Sequence, residues 1–183
     1  MIDVMLDLET LGTGPRAAIV AIGACKFDPR GVGLGPDKPE GPVSTFYRRV
    51  SLATAMEHGD VDPSTLLWWM QQSDQARQDT FLGECGGLSQ TLAAFNAFVA
   101  DRAVGVWGNG ATFDNVVIRS AMAACGITPA WSFRNDKCYR TVINLLPKDE
   151  WPAFERSGTA HNALDDAITQ ALYLQKIFKR IRI

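Results

Sequence analysis

The sequence predicts an α/β domain built around one mixed sheet, and three observations point there. An alternating apolar–polar stretch opens the chain, two more strand-like runs follow it, and helical and strand patterns alternate from residue 62 onward. At 183 residues the chain has the length of one domain and can bury a substantial core. Its 46% apolar and 21% charged content is ordinary for a globular protein.

Residues 2–8 alternate as a strand, with Ile2, Val4, Leu6 and Leu8 pointing one way and Asp3, Met5, Asp7 and Glu9 the other. The LGTGP stretch at 11–15 is a turn, and the apolar run 17–27 is a second strand. Residues 28–42, rich in Gly and Pro, form a long loop before a third strand at 44–50; the three strands make an antiparallel meander. Asp62 and Pro63 supply an N-cap and a proline at the first helical position, which opens a helix through residue 72. Residues 73–81 are a further helix, and 84–87 a break. Leu88, Leu92, Phe95, Phe98 and Val99 repeat at helical spacing over 88–100. A short buried strand at 104–107 ends in Gly108-Asn109-Gly110, and 112–125 is helical. Residues 141–146 are a short helix or strand, and 162–180 a long terminal helix. There is no internal repeat and no interdomain linker, so residues 1–183 read as a single domain.

The formal charge of −2 argues against a protein that coats nucleic acid by bulk electrostatics, but not against one that grips a few phosphates locally. No apolar run approaches the roughly 18 residues of a membrane span, so no membrane partner is expected. The N-terminus lacks the marks of an export signal, and a cytoplasmic location is the expectation. Cys25, Cys85, Cys125 and Cys138 are far apart without a C-x-x-C pair, which predicts reduced, mostly buried thiols.

Asp7 and Glu9 carry the sharpest chemistry. Two positions apart on a strand, they share a face and repel each other, and desolvation adds to the cost. A hard divalent cation, Mg²⁺ or Mn²⁺, relieves both effects. Alone, D-x-E equally describes the start of a solvated loop. Asp114 lies in the first turn of a helix after a Gly-Asn-Gly break, where a carboxylate is favoured by the helix dipole whatever its function. His161 is a candidate general base. Residues four apart on a helix nearly coincide and residues five apart diverge by about 140°. Spacing therefore pairs His161 with Asp165 if the histidine is helical, and with Asp166 only if it sits on the entering loop. As a set, four acids and a histidine at element edges suit a two-metal phosphoryl-transfer site.

The chain resembles the DEDDh branch of the DEDD 3′–5′ exonucleases, the DnaQ-like and RNase T superfamily. LDLETLGTGP around Asp7 and Glu9, WGNGATFDNVVI around Asp114 and HNALDDA from His161 through Asp166 carry the resemblance, in order and across most of the chain. The segment DPSTLLWWMQQSDQAR is similar to the subgroup of RNase AS-type exoribonucleases and exonuclease VIII-like and phage enzymes. The resemblance implies a ribonuclease H-like fold, with a central five-stranded mixed sheet flanked by helices, in a bacterial or phage-encoded enzyme. Its H-x-x-x-x-D pattern selects Asp166. It implies two Mg²⁺ ions, replaceable by Mn²⁺, with Asp7 bridging them, Glu9 and Asp166 on the first, Asp114 on the second, and His161 as base for the attacking water. The substrate implied is the 3′ end of single-stranded RNA or DNA, cut to nucleoside 5′-monophosphates, and a homodimer is in keeping with the family.

Thr10 and Leu11, directly after the acids, are where the resemblance places contacts to the terminal nucleotide. Of Trp68 and Trp69, about 100° apart on a helix, one faces a groove and the other belongs with Leu66 and Met70 in the core; Trp69 is taken as the substrate contact. Asn109 either touches substrate or caps the next helix, and Phe113 is assigned to packing. Arg48, Arg49, Arg77, Arg119, Arg134, Lys137 and Arg140 could neutralise phosphates. His58 is read as structural or exposed, and the basic end at 179–183 as too short for a binding tail. A ribonuclease H-like endonuclease also gathers carboxylates but has no need of His161. A catalytically inactive nucleic-acid-binding module would be free to lose any of the five residues, and none is lost.

Overall fold

The structure is a computed structural model, and it describes residues 2–34, 44–100, 102 and 104–181. The described residues form five strands, β1 (Asp3–Thr10), β2 (Ile19–Phe27), β3 (Thr45–Arg49), β4 (Val106–Gly108) and β5 (Asp136–Cys138). Seven α-helices surround them: α1 (Leu52–His58), α2 (Pro63–Met70), α3 (Asp74–Phe81), α4 (Leu88–Val99), α5 (Asp114–Ala124), α6 (Tyr139–Ile143) and α7 (Ala163–Arg180). The sheet order is β3-β2-β1-β4-β5, with β2 antiparallel to β1 and β3, and β4 parallel to β1 and β5. The sheet is therefore mixed and five-stranded, as expected. Among the described residues no helix is long and apolar enough to cross a membrane.

β1 is the central strand, so its alternation separates two buried layers rather than core from solvent. Val4, Leu6 and Leu8 join Ile22, Leu92, Phe95, Val117 and Ile118 on the α4–α5 side. Met5 joins Cys25, Trp107, Tyr173, Leu174 and Ile177 under α7. Asp7 and Glu9 lie on that second face, near the carboxyl end of β1. Ligands of open α/β sheets bind at such ends where the strand order reverses, and the boundary between β1 and β4 is that point here. A bulge in the β1–β2 pairing between Glu9 and Thr10 marks the same edge.

Two glycines let helices approach this edge. Gly23 pairs with Asp7 in the sheet, and a Cβ there would lie 2.1 Å from the Ala163 carbonyl carbon. The first turn of α7 thus rests directly on β2. At Gly108 a Cβ would lie 2.5 Å from Asn115 Oδ1 and 2.8 Å from Asp114 Cβ, so α5 starts tight against β4.

The helices at 62–72, 73–81, 88–100, 112–125 and 162–180 all form, with ends shifted by one or two residues. The Asp62 side chain caps α2 by accepting from Ser64 N, and Asn162 caps α7 by accepting from the amides of Leu164 and Asp165. Four expectations need correction. The fifth strand, Asp136–Cys138, was not foreseen, and the segment read as a short helix or strand at 141–146 is a helix that begins earlier, Tyr139–Ile143. Helix α1 was not foreseen; it buries only Ala55 and its Ser51 N-cap makes no side-chain cap bond, so no periodicity announces it. Leu66 and Met70 are exposed rather than core. Of the four thiols, all free, only Cys25 is buried. Residues 35–42 of the Gly/Pro-rich loop and 182–183 of the basic end lie outside the described residues. His58, the last residue of α1, is exposed.

Candidate active site

Asp7, Glu9 and Asp166 come together: each offers a carboxylate oxygen, and the three oxygens lie within 4.8 Å of one another. Asp7 and Glu9 arrive from β1, Asp166 from the first turn of α7. Asp114, 3% exposed at the start of α5, stands outside that trio but close enough for its charge to act on Asp7 and Glu9. Burial holds Asp7 well above the ordinary carboxylate range, and the charges of Asp114, Glu9 and Asp166 push it the same way. Glu9 is raised to about 8, first by burial and then by Asp166 and Asp114. Burial takes Asp114 to about 7, against the opposing pull of the Leu8, Asp114 and Asn109 backbone amides and the Arg140 charge.

The choice between Asp165 and Asp166 is made by the backbone at His161. Its φ of 63° is left-handed, so it stands outside the helix that begins after the Asn162 cap. From there its amide donates to Asp166 Oδ2 at 2.9 Å. Asp165 turns away and accepts from the Thr159 amide at 2.7 Å. The entering loop is pinned by α3: Thr80 Oγ1 donates to the His161 carbonyl at 3.3 Å, and Asn162 Nδ2 to Asp79 Oδ2 at 3.3 Å. The His161 ring packs edge-on against Trp68, with centroids 4.9 Å apart, and against Trp69 at 6.4 Å.

Beside the acids is a cavity of about 470 Å³, bounded by Glu9, Thr10, Thr13, Trp68, Trp69 and Phe113. Thr10 lines it. Its hydroxyl donates to the Gly12 carbonyl at 2.7 Å and its own carbonyl accepts from Trp69 Nε1 at 2.9 Å. That bond makes Trp69, 3% exposed, the inner wall, while Trp68, 40% exposed, is the open one. Phe113 both packs on the core and lines the cavity. Leu11 is 3% exposed within the core and does not line the cavity; Gly12 and Thr13 do. Asn109 does not cap α5, and its carbonyl accepts from Arg140 Nη2 at 2.9 Å. Of the other cations, Arg119 pairs with Asp136 and Lys137 with Asp3, both at 2.7 Å, and Arg77 pairs with Asp74.

Two residues at the site were not foreseen. Gln170, 6% exposed, donates from Nε2 to Asp7 Oδ1 at 2.7 Å. It lies four residues after Asp166, one helical turn along the same face, so spacing could have revealed it. Arg156 donates from Nη1 to Asp166 Oδ1, and nothing in the sequence distinguishes it from other arginines.

Whether these residues suit a cation is answered by the acids themselves. Glu9 Oε1 is buried with no hydrogen-bond partner, and four carboxyl groups share a site with few compensating charges. Such an oxygen-rich, charge-repelled cluster fits a hard divalent ion.

The chain belongs to the 3′–5′ exoribonuclease Rv2179c-like domain family, whose model matches residues 2–178. An exodeoxyribonuclease of Enterobacteria phage T4 is 29% identical over 210 residues, spanning 96% of this chain and 88% of the phage protein. The fold is shared with E. coli exonuclease I. Its zinc-bound complex with single-stranded DNA superimposes with a TM-score of 0.64 at 16% identity over 98% of this chain. Its complex with a dA16 oligonucleotide gives 0.62 at 15% identity over 98%. The chain spans only 41% and 42% of those two exonuclease I chains.

Proposed function

We propose that this protein shortens single-stranded nucleic acid from the 3′ end, releasing nucleoside 5′-monophosphates, with Asp7, Glu9, Asp166 and Asp114 holding two Mg²⁺ ions for which Mn²⁺ substitutes. The observation that carries the reading is the convergence of three carboxylate oxygens within 4.8 Å beside an aromatic-walled cavity. Bound divalent ions would supply Lewis-acid stabilisation of the charge that builds on the phosphate and leaving oxygen.

The chain's own residues do the rest. The cavity takes the terminal nucleoside, whose base lies against Trp68 and Phe113; stacking of this kind is indifferent to sequence. The Thr10–Trp69 bond keeps that wall rigid. His161, at the junction of the tryptophans and Asp166, takes the proton from the attacking water. Gln170 fixes the orientation of Asp7. The family description names RNA and the phage relative is named for DNA, so the substrate test carries both sugars.

That test uses 5′-labelled single-stranded RNA and DNA oligomers with Mg²⁺, Mn²⁺ or EDTA. A descending ladder from the 3′ end, abolished by EDTA and by Asp7→Ala, is expected. Cutting of circular strands at internal bonds, or full activity in EDTA, would overturn the reading.

A further inference from the structure

A second concavity, of about 330 Å³, lies along α7. Leu172, Gln175, Lys176 and Lys179 line it from the helix, and their spacing of three, four and seven residues puts them on one stripe. Facing them are Arg156 and Ser157 from the segment that enters α7.

This wall is fastened rather than loose. The Ser157 amide donates to Thr169 Oγ1 at 3.0 Å, and Tyr173 Oη donates to the Pro152 carbonyl at 3.1 Å. Gln175 Nε2 donates to the carbonyls of Asp28 and Gly33, each at 2.8 Å. Among the described residues three cations line the concavity; Lys176 pairs with Glu155 at 3.2 Å and Arg156 with Asp166, which leaves an excess of positive charge. On a chain of formal charge −2 this is a local reversal of sign. A lysine in the last turn of a helix complements the dipole, which accounts for Lys179 but not for Lys176 or Arg156.

Arg156 connects this surface to the carboxylates, since the guanidinium that lines the concavity also bonds Asp166. The apolar cavity on the other hand has no lysine or arginine among the described residues of its walls. A nucleoside suits the first cavity, and the remaining phosphates of a strand need cations elsewhere.

We propose that the concavity formed by Arg156, Lys176 and Lys179 is a phosphodiester-binding subsite that holds the strand on the 5′ side of the bond being cut. The assignment rests on the reading of the carboxylate cluster as a strand-shortening centre. Lys176 and Lys179 lie about 15 and 20 Å beyond Asp166 along the helix axis, at 1.5 Å per residue. At a stacked rise of about 3.4 Å per nucleotide they meet phosphates roughly four to six nucleotides from the cut, fewer if the strand is extended.

The test is the double variant Lys176→Gln/Lys179→Gln, checked by thermal melting to be folded. KM is measured on strands from about two to ten nucleotides, the range that spans the proposed contacts. Binding of a hydrolysis-resistant phosphorothioate strand is measured against salt concentration. The natural chain should show KM falling with length to about six nucleotides, and the variant should lose most of that fall. The slope of log affinity on log salt should drop by about 1.4, two phosphate contacts at about 0.7 each for a single strand. The arginine double variant should restore both, and Glu155→Gln should tighten binding. An unaltered slope and length dependence in a folded variant would overturn the subsite while leaving the 3′-shortening intact. If the natural chain shortens no strand of any length, the underlying functional reading fails instead; the binding slope still reports on the subsite alone.

Discussion

Glu9 is 7% exposed, with one carboxylate oxygen unpartnered and Asp166 and Asp114 close by. Replacing it with glutamine removes a charge that the metal-free protein holds with difficulty. Glu9→Gln should therefore raise stability in EDTA at pH 8 by about 1–3 kcal/mol while abolishing nuclease activity; a destabilised variant in chemical melts would contradict the repulsion. Gln170→Ala removes the side-chain hydrogen bond that opposes the upward push on Asp7. Mn²⁺ affinity, followed by titration of tryptophan fluorescence, should fall about 10–100-fold, as when other partners that orient metal ligands are lost. Retained affinity would leave Gln170 a packing residue. His161→Ala should cost about 10²–10⁴-fold in kcat while Mn²⁺ binding persists, because its ring is not part of the carboxylate trio. Of these residues, Asp7 and Glu9 had their shared face legible from strand geometry, since a two-residue spacing puts both on one face in any strand, while their pairing with a cation rested on the whole set. Asp166 was not, because its claim over Asp165 depends on the left-handed backbone at His161.

At the scale of elements, long periodic segments were readable and short ones were not. Helices α4 and α7 bury apolar stripes over 12 and 18 residues, and the pattern shows in the sequence. Strand β5 is three residues, Asp-Lys-Cys, and exists because it pairs with β4 and because Lys137 reaches the buried Asp3 at 2.7 Å. No local signal marks such a strand. The seating of α7 on β2 gives the element-scale prediction. Gly23→Ala puts a methyl group where the Ala163 backbone lies, so helix or strand must shift. The variant should lose about 1–3 kcal/mol in urea unfolding and much of its Mn²⁺ affinity, since Asp166 rides on the same turn. Wild-type stability and metal binding together would show that the contact yields freely.

For the molecule as a whole, the acids couple folding to pH and to metal. Glu9, raised to about 8, and Asp114, raised to about 7, bind protons more tightly folded than unfolded. Their stabilising contribution is complete below the ordinary values of 4.5 and 3.8 and is lost as pH rises through 7 to 8. In EDTA the melting temperature should fall between those limits, and saturating Mg²⁺ should remove most of the fall. At about 100 times its Kd a bound ion adds about 2.7 kcal/mol. A melting temperature in EDTA that is flat across this range would exclude an unrelieved carboxylate cluster.

The order of the longer elements, the meander, and the acid and histidine motifs with their spacing were determined by the sequence itself. Periodicity of two or 3.6 and the chemistry of capping act over a few residues and are written there. What only the tertiary structure decided is who meets whom: the backbone geometry that turns Asp166, already selected by the family pattern, toward the acids and Asp165 away, Trp69 inside and Trp68 open, Leu11 in the core, Arg156 and Gln170 at the site. Each of these depends on a close approach between elements far apart in the chain, such as α7 on Gly23 or α3 on the His161 loop. Such approaches are settled by packing, which no local pattern encodes.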